Sequence, residues 1–261
     1  MEIQVEKKQI EECSTSTADG ESIIHIEHLR KSFGNKEVLK DINLDLKKGE
    51  NIVVLGRSGQ GKSVAVKCVV GLLQQDGGKC CVFGQEVKDL SETELKVMRV
   101  KIGFLFQSGA LYDSMTVGEN LSFPLTRVLK MRDKNKIDQL VEEMLDNVGL
   151  KEAINKMPAD LSGGMRKRIG LARTLILKPQ IMLYDEPTTG LDPITSEEIS
   201  ELILNMQKKY KISSIIITHD MACAKITADR IMVMNDGVFV EQGSYDELKH
   251  SDNKLVHSFF K

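Results

Sequence analysis

The sequence predicts an α/β fold in which helices cover a parallel sheet, with antiparallel strands at its start and end. Three apolar runs have the composition of buried central strands: residues 52–55, 181–184 and 214–217. A glycine-rich loop joins the first run to a helix-compatible stretch, and a second helical pattern separates the other two runs. Near the end, two apolar runs flank Asn235-Asp236-Gly237, which is a hairpin signal.

Length and composition limit the alternatives. The 261 residues suit one α/β domain with a small inserted subdomain, and no apolar run approaches the roughly 18 residues of a membrane span. No N-terminal stretch resembles a signal peptide. A net charge of −2 gives no electrostatic case for a nucleic-acid partner. The cysteines have neither disulfide-framework nor metal-ligand spacing, so we expect reduced cytosolic thiols at Cys13, Cys68, Cys80, Cys81 and Cys223.

The elements follow in chain order. Residues 1–20 are polar and predict a disordered tail. Ile42, Leu44 and Leu46 alternate with polar residues, which indicates a half-buried strand. Residues 102–106 form a further apolar strand that ends at Gln107.

The helical patterns come next. One apolar face, closed by Gly149, is formed by Ile137, Leu140, Val141, Met144, Leu145 and Val148. Residues 171–177 are apolar and are followed by Pro179. Asp192-Pro193 has the chemistry of a helix start, and this helix is predicted to run to about Lys209.

The glycine-rich loop carries the clearest chemistry. Its residues are Gly56, Arg57, Ser58, Gly59, Gln60, Gly61, Lys62 and Ser63, and Val64 opens the helix that follows. Glycines let the backbone fold around an anion, so that successive N–H groups and the helix N-terminus face phosphate oxygens. Lys62 would neutralise the β- and γ-phosphates, and Ser63 would offer its hydroxyl to Mg²⁺. The segment therefore predicts a P-loop nucleotide site that extends to Val64.

Two acidic residues complete this site. Asp185 follows the buried run 181–184, at the carboxyl end of a strand where sheet ligands bind, and can hold Mg²⁺ through water. Glu186 would point toward the γ-phosphate and act as general base. Acidic residues after a strand can be an ordinary turn. Together with the P-loop upstream, they indicate a nucleotide and Mg²⁺ site.

A second anion site is indicated at Leu161-Ser162-Gly163-Gly164-Met165, where free N–H groups and a hydroxyl open onto a helix. A simple capped helix start also explains Ser162. A second phosphate site about 100 residues from the P-loop makes sense if two chains face each other head to tail.

Taken together, these motifs closely resemble the nucleotide-binding subunits of ABC transporters. The P-loop, the signature 161–164, the acidic strand 181–185 and Glu186 occur in that family's order and spacing, and the resemblance covers about residues 22–250. It implies the ABC ATPase fold: a RecA-like P-loop core with a parallel sheet, an antiparallel β subdomain and an inserted helical subdomain. The implied domain spans 21–250, with the helical subdomain at about 108–175.

The resemblance also implies roles for single residues. Phe33 matches the aromatic that stacks on adenine, and Gln107 matches a glutamine that contacts Mg²⁺ and water. Residues 190–192 match a loop that crosses the dimer interface, and His219 matches a histidine that contacts the γ-phosphate. In the implied head-to-tail homodimer, two ATP molecules each lie between one P-loop and the partner's Ser162-Gly163-Gly164. The expected ligands are thus ATP and Mg²⁺.

Within the family, residues 104–117 and 120–125 look most like the Mla-type lipid-transport ATPases, and 156–165, 183–187 and 192–195 continue this similarity. The subgroup implies membrane permease subunits, a lipid-binding MCE-domain protein and, for some members, a STAS-domain protein. It implies phospholipid transport between two membranes and a place on the cytoplasmic face of the inner membrane. Residues 251–261 are expected to form a short helix on their own domain.

Other functions remain open. The chain could be the ATPase of another ABC importer or exporter, for example of amino acids or hydrophobic drugs. It could also be a soluble ABC ATPase that acts on ribosomes or DNA, although it has one cassette and no heptad run. A P-loop kinase or GTPase would leave the signature, Gln107 and His219 unexplained.

Overall fold

The computed structural model describes residues 13, 16–17, 20–107 and 109–260. Its strands are β1 (Ser16–Thr17), β2 (Gly20–Phe33), β3 (Lys36–Lys47), β4 (Asn51–Leu55), β5 (Gly77–Val82), β6 (Gln85–Glu86), β7 (Ile102–Leu105), β8 (Ile181–Asp185), β9 (Ser213–Thr218), β10 (Arg230–Asn235) and β11 (Val238–Gly243). Across the sheet the order is β6-β5-β2-β3-β11-β10-β4-β9-β8-β7, and β1 pairs with β2.

The central strands confirm the predicted parallel core. Strands β10, β4, β9, β8 and β7 pair in parallel as successive neighbours. On β4, Val53 and Leu55 pack into one hydrophobic cluster, whereas Ile52 and Val54 pack into another. Because successive side chains of a strand point to opposite faces, a strand that is buried on both faces needs a continuous apolar run. This is why the three apolar runs were visible in the sequence.

The antiparallel strands form the remaining part of the sheet. Strand β2 pairs with both β3 and β5, and β5 continues to β6. The predicted hairpin is confirmed as β10–β11, with Asp236 at φ 49° and Gly237 at φ 75° in its turn. Strand β11 joins this region to the core through a single register pair, Val238 opposite Asp41.

The α-helices are α1 (Lys62–Val69), α2 (Glu92–Val100), α3 (Val117–Arg127), α4 (Lys134–Asn147), α5 (Gly163–Leu175), α6 (Pro193–Tyr210), α7 (Met221–Thr227), α8 (Tyr245–Lys249) and α9 (Lys254–His257). Helices α3, α4 and α5 contact one another and form the helical part inserted between β7 and β8. Asp192 accepts a hydrogen bond from the N–H of Thr195 at 3.0 Å, which confirms the predicted start of α6. None of the described helices is long and apolar enough to cross a membrane.

The predicted disordered tail falls mostly outside the described residues, because residues 1–12, 14, 15, 18 and 19 are not among them; within it the structure describes the short strand β1, and the disorder stays a prediction. One expectation about the cysteines needs correction. The expectation of five reduced thiols is wrong for Cys13 and Cys81, which form a disulfide with a Cα–Cα distance of 6.2 Å. The cause is tertiary: β1 folds back on β2, and β2 pairs with β5, which carries Cys81. Neither pairing follows from cysteine spacing.

The end of the chain forms a short helix on its own domain. Val256 of α9 is fully buried, and Phe259 and Phe260 pack against the core. The rings of Tyr245 and Phe260 meet edge to face with their centroids 5.2 Å apart.

Candidate active site

The predicted P-loop connects the end of β4 to the start of α1. Gly59 has φ 79° and Gly61 has φ 105°, conformations that residues with a Cβ rarely adopt. A Cβ on Gly61 would also lie 2.8 Å from Leu39 Cδ2 and 2.9 Å from Val38 O. Both the backbone conformation and the close approach of β3 therefore require glycine at position 61.

The loop forms one wall of a cavity of about 660 Å³, a volume suited to a nucleotide. The lining residues are Val38, Gly56, Arg57, Ser58, Gly59, Gln60, Gly61, Lys62, Ser63, Val64, Gln107, Asp185, Glu186, Thr189, Ile217 and His219. The structure thus brings the whole predicted P-loop together with Gln107, Asp185, Glu186 and His219. Val38, Thr189 and Ile217 also line the cavity, although no sequence motif includes them.

Lys62 places a buried cation inside the loop. Its Nζ donates hydrogen bonds to the carbonyls of Gly56 at 2.5 Å and Arg57 at 3.0 Å. Burial lowers the pKa of Lys62, whereas the carboxylates of Glu186 and Asp185 oppose that shift. A phosphate anion in the cavity would supply a negative countercharge for this desolvated ammonium.

Ser63 and Asp185 bring two oxygen ligands together. The Ser63 hydroxyl lies 3.3 and 3.5 Å from the two carboxylate oxygens of Asp185. Burial raises the pKa of Asp185, while the Ser63 hydroxyl and the Lys62 ammonium act in the opposite direction. Because Mg²⁺ prefers hard oxygen ligands and keeps several of its waters, this pair fits Mg²⁺.

The Glu186 carboxylate is held by two side chains. Its Oε2 lies 2.8 Å from His219 Nδ1 and accepts a hydrogen bond from the Thr189 hydroxyl at 3.1 Å. Its backbone N–H donates to the carbonyl of Ile217 at 2.8 Å. A carboxylate oriented in this way, facing a nucleotide-sized cavity, can take a proton from water. Thr189 follows Glu186 by three residues, but no sequence signal distinguished it from an ordinary turn threonine.

Four predicted residues lie outside this cavity. Phe33 lies at the end of β2 with 47% of its surface exposed, and Lys31 Nζ is 5.6 Å from its ring centroid. Ser162 caps α5 by accepting a hydrogen bond from Met165 N–H at 3.3 Å, and Gly163 and Gly164 open that helix. The adenine contact of Phe33 and the partner-chain role of residues 162–164 stay predictions.

A glycine-rich loop between a parallel strand and a helix, beside an acidic strand end, defines a P-loop nucleotide-binding protein. Comparison with family models narrows the class: the model described as ABC transporter matches residues 39–189. The chain belongs to the ABC transporter family and is the ATP-binding subunit of such a transporter. It is an ATPase with the ABC ATPase fold. The resemblance seen in the sequence is confirmed at this level.

Curated relatives carry different names. TRIGALACTOSYLDIACYLGLYCEROL 3 of Arabidopsis thaliana, a chloroplastic protein, is 38% identical, over 92% of this chain and 74% of its own length. The methionine import ATP-binding protein MetN of Clostridium tetani is 39% identical, over 87% of this chain and 70% of its own. Among solved structures, the ATP-binding cassette MJ0796, a dimer in a post-hydrolysis state bound to ADP and Pi, matches with a TM-score of 0.76. It is 30% identical, over 85% of this chain and 98% of that one.

Proposed function

We propose that this ATPase powers phospholipid transport between two membranes as the ATP-binding subunit of an Mla-type transporter. The supporting observation is the segment between Gln107 and the end of α3, whose sequence resembles that subgroup. A relative whose name refers to a galactolipid supports the same assignment. The proposed partners are a permease, an MCE-domain lipid-binding protein and a STAS-domain protein, and the proposed place is the cytoplasmic face of the inner membrane.

The surface of this segment suits a membrane partner. Tyr112, Val128 and Leu129 are exposed, and the rings of Tyr112 and Phe123 lie 5.0 Å apart. We call these four residues the apolar patch. Exposed apolar residues that gather on one surface mark interaction sites, and we propose that these four residues form such a surface. The patch lies on the chain segment that begins at Gln107, a residue of the cavity, so a partner bound there would be connected to the nucleotide.

The proposed chemistry is in-line attack of water on the γ-phosphate of ATP, which forms a bond from the water oxygen to the γ-phosphorus and breaks the bond to the β–γ bridging oxygen, so that ADP leaves with phosphate as the second product. Glu186 takes the proton of that water, while His219 and Thr189 hold its carboxylate in place. Lys62 binds the β- and γ-phosphates, and Ser63, Asp185 and Gln107 would hold Mg²⁺. When bound, Mg²⁺ neutralises charge that develops on the phosphates. Ser162, Gly163 and Gly164 act on the ATP of the partner chain in a head-to-tail homodimer, which stays closed until hydrolysis.

A second candidate is the import of a small molecule such as an amino acid. The methionine import relative favours it, because its identity to this chain is similar to that of the galactolipid-named relative. The catalytic residues would be the same, so only the partner distinguishes the two functions.

Identification of the permease tests the proposal. The Glu186→Gln variant, held with ATP, would be used to capture partners from solubilised native membranes, followed by mass spectrometry. We expect an Mla-like permease together with an MCE-domain protein. Recovery of an amino-acid or drug permease instead would overturn the lipid assignment and leave the ATPase assignment intact.

A matched pair of variants makes the capture specific. Adding Leu129→Asp to the bait should abolish permease recovery, because it places a charge in the apolar patch. Adding Val240→Asp, at an exposed apolar position on β11, should leave recovery unchanged. Equal recovery with both baits would exclude the apolar patch as the docking surface.

A further inference from the structure

Lys167 is a buried lysine that no predicted motif includes. It lies on α5, three residues after Gly164, and only 6% of its surface is exposed. In the described part of the chain its Nζ donates one hydrogen bond, at 3.2 Å, to the backbone carbonyl of Glu186. Lys167 is not among the residues that line the nucleotide cavity. Its side chain therefore contacts the backbone of Glu186 without lining the cavity.

The backbone of Glu186 needs such support. Glu186 has φ 53°, in the left-handed region that non-glycine residues seldom adopt, and proline follows it. Such a conformation persists only where surrounding contacts hold it. Its N–H bonds to Ile217, and its carbonyl accepts from both Thr189 N–H, at 3.3 Å, and Lys167 Nζ. Lys167 is the one member of this set that comes from the helical part of the fold.

The charge of Lys167 also matches its surroundings. Burial lowers the pKa of Lys167, whereas the Glu186 and Asp185 carboxylates oppose that shift. A buried ammonium is costly unless it is paired. If this position only needed to be filled, an apolar side chain of similar volume would fill it without the free-energy cost of burying a charge. The placement thus favours a role that uses the cation.

We propose that Lys167 is a positioning residue that fixes the backbone of Glu186 and so aims its carboxylate at the attacking water. Lys167 lies on α5, the helix that begins at the signature and is proposed to contact the partner's ATP. Lys167 therefore also connects that helix to the catalytic carboxylate of its own chain. This inference rests on the general-base role proposed for Glu186.

Two substitutions at position 167 test it in the full chain. Lys167→Met keeps length and packing but removes the cation, and Lys167→Arg keeps the cation. Single-turnover hydrolysis would be measured with Mg-ATP and protein in excess, and ATP affinity by equilibrium titration. For Lys167→Met we expect the rate to fall about 10- to 100-fold, as for a misplaced catalytic group, with ATP affinity changed less than about twofold. Lys167→Arg should recover part of the rate.

Controls distinguish the positioning role of Lys167 from a role in packing alone and from the general-base role of Glu186. Lys208→Met, at an exposed lysine of α6, should leave rate and affinity unchanged, and thermal unfolding should show that each variant is folded. Hydrolysis by Lys167→Met at the parent rate would overturn the proposal. So would equal loss in Lys167→Met and Lys167→Arg, since that indicates packing alone. Hydrolysis by Glu186→Gln at the parent rate would instead contradict the general-base role of Glu186, independently of the result for the Lys167 variants.

Discussion

His219 Nδ1 lies 2.8 Å from Glu186 Oε2, which joins two residues that are 33 positions apart in the chain. Strands β8 and β9 pair in parallel with Asp185 opposite Ile217, so the residues that follow each strand lie side by side. His219 is 65% exposed at its side chain and Glu186 only 18%. The histidine is therefore the more solvent-exposed partner of this pair, and both residues line the cavity.

Glu186→Gln should keep ATP binding and lose hydrolysis. Gln has the same shape but cannot accept the proton of water, so we expect the turnover rate to fall about 10²- to 10⁴-fold. Steady-state phosphate release would measure the rate, and nucleotide titration the affinity. Glu201→Gln, at an exposed glutamate of α6, is the matched control. Hydrolysis at the parent rate in Glu186→Gln would show that another group is the base.

His219→Ala should slow hydrolysis less than the loss of the base does. The carboxylate would keep its bond to Thr189 but lose the histidine that orients it, and we expect a decrease of about 10- to 100-fold. The same phosphate-release assay applies, with His250→Ala, at an exposed histidine directly after α8, as control. If His219→Ala matched Glu186→Gln in severity, His219 would have a larger role than orientation.

Mixing two inactive variants tests the head-to-tail dimer. Lys62→Ala should weaken ATP binding, and Ser162→Arg should block the signature while leaving binding by its own P-loop intact. In a mixed head-to-tail dimer both defects fall in one composite site, and the other site has neither. We therefore expect ATPase activity when the two are mixed, although each alone is inactive. If both motifs acted on ATP within one chain, mixing would restore nothing.

The cysteines give a direct test of the disulfide. Denatured protein, purified without reductant, should show three thiols, and five after reduction, because Cys13 and Cys81 are paired. In the native protein burial raises the pKa of Cys68 and of Cys223 to about 11. Since the thiolate is the reactive form, alkylation of both at pH 8 should be slow until the protein unfolds. Five thiols before reduction would exclude the Cys13–Cys81 bond.

The sequence by itself determined the features whose causes are local. A P-loop needs glycine at position 61 because of its backbone, and strands buried on both faces need continuous apolar runs. These patterns were enough to predict the parallel core, the hairpin and the helix start at Asp192. They also placed Asp185 and Glu186 at a strand end.

Tertiary packing decided the rest, because it joins residues that no local pattern links. The contact of Lys167 with Glu186 depends on how α5 lies against the end of β8. The Cys13–Cys81 bond depends on β1 folding back on β2, and the position of Phe33 outside the cavity depends on where β2 ends. Strand and helix formation follow from short-range periodicity, whereas such contacts follow from the register and packing of distant elements.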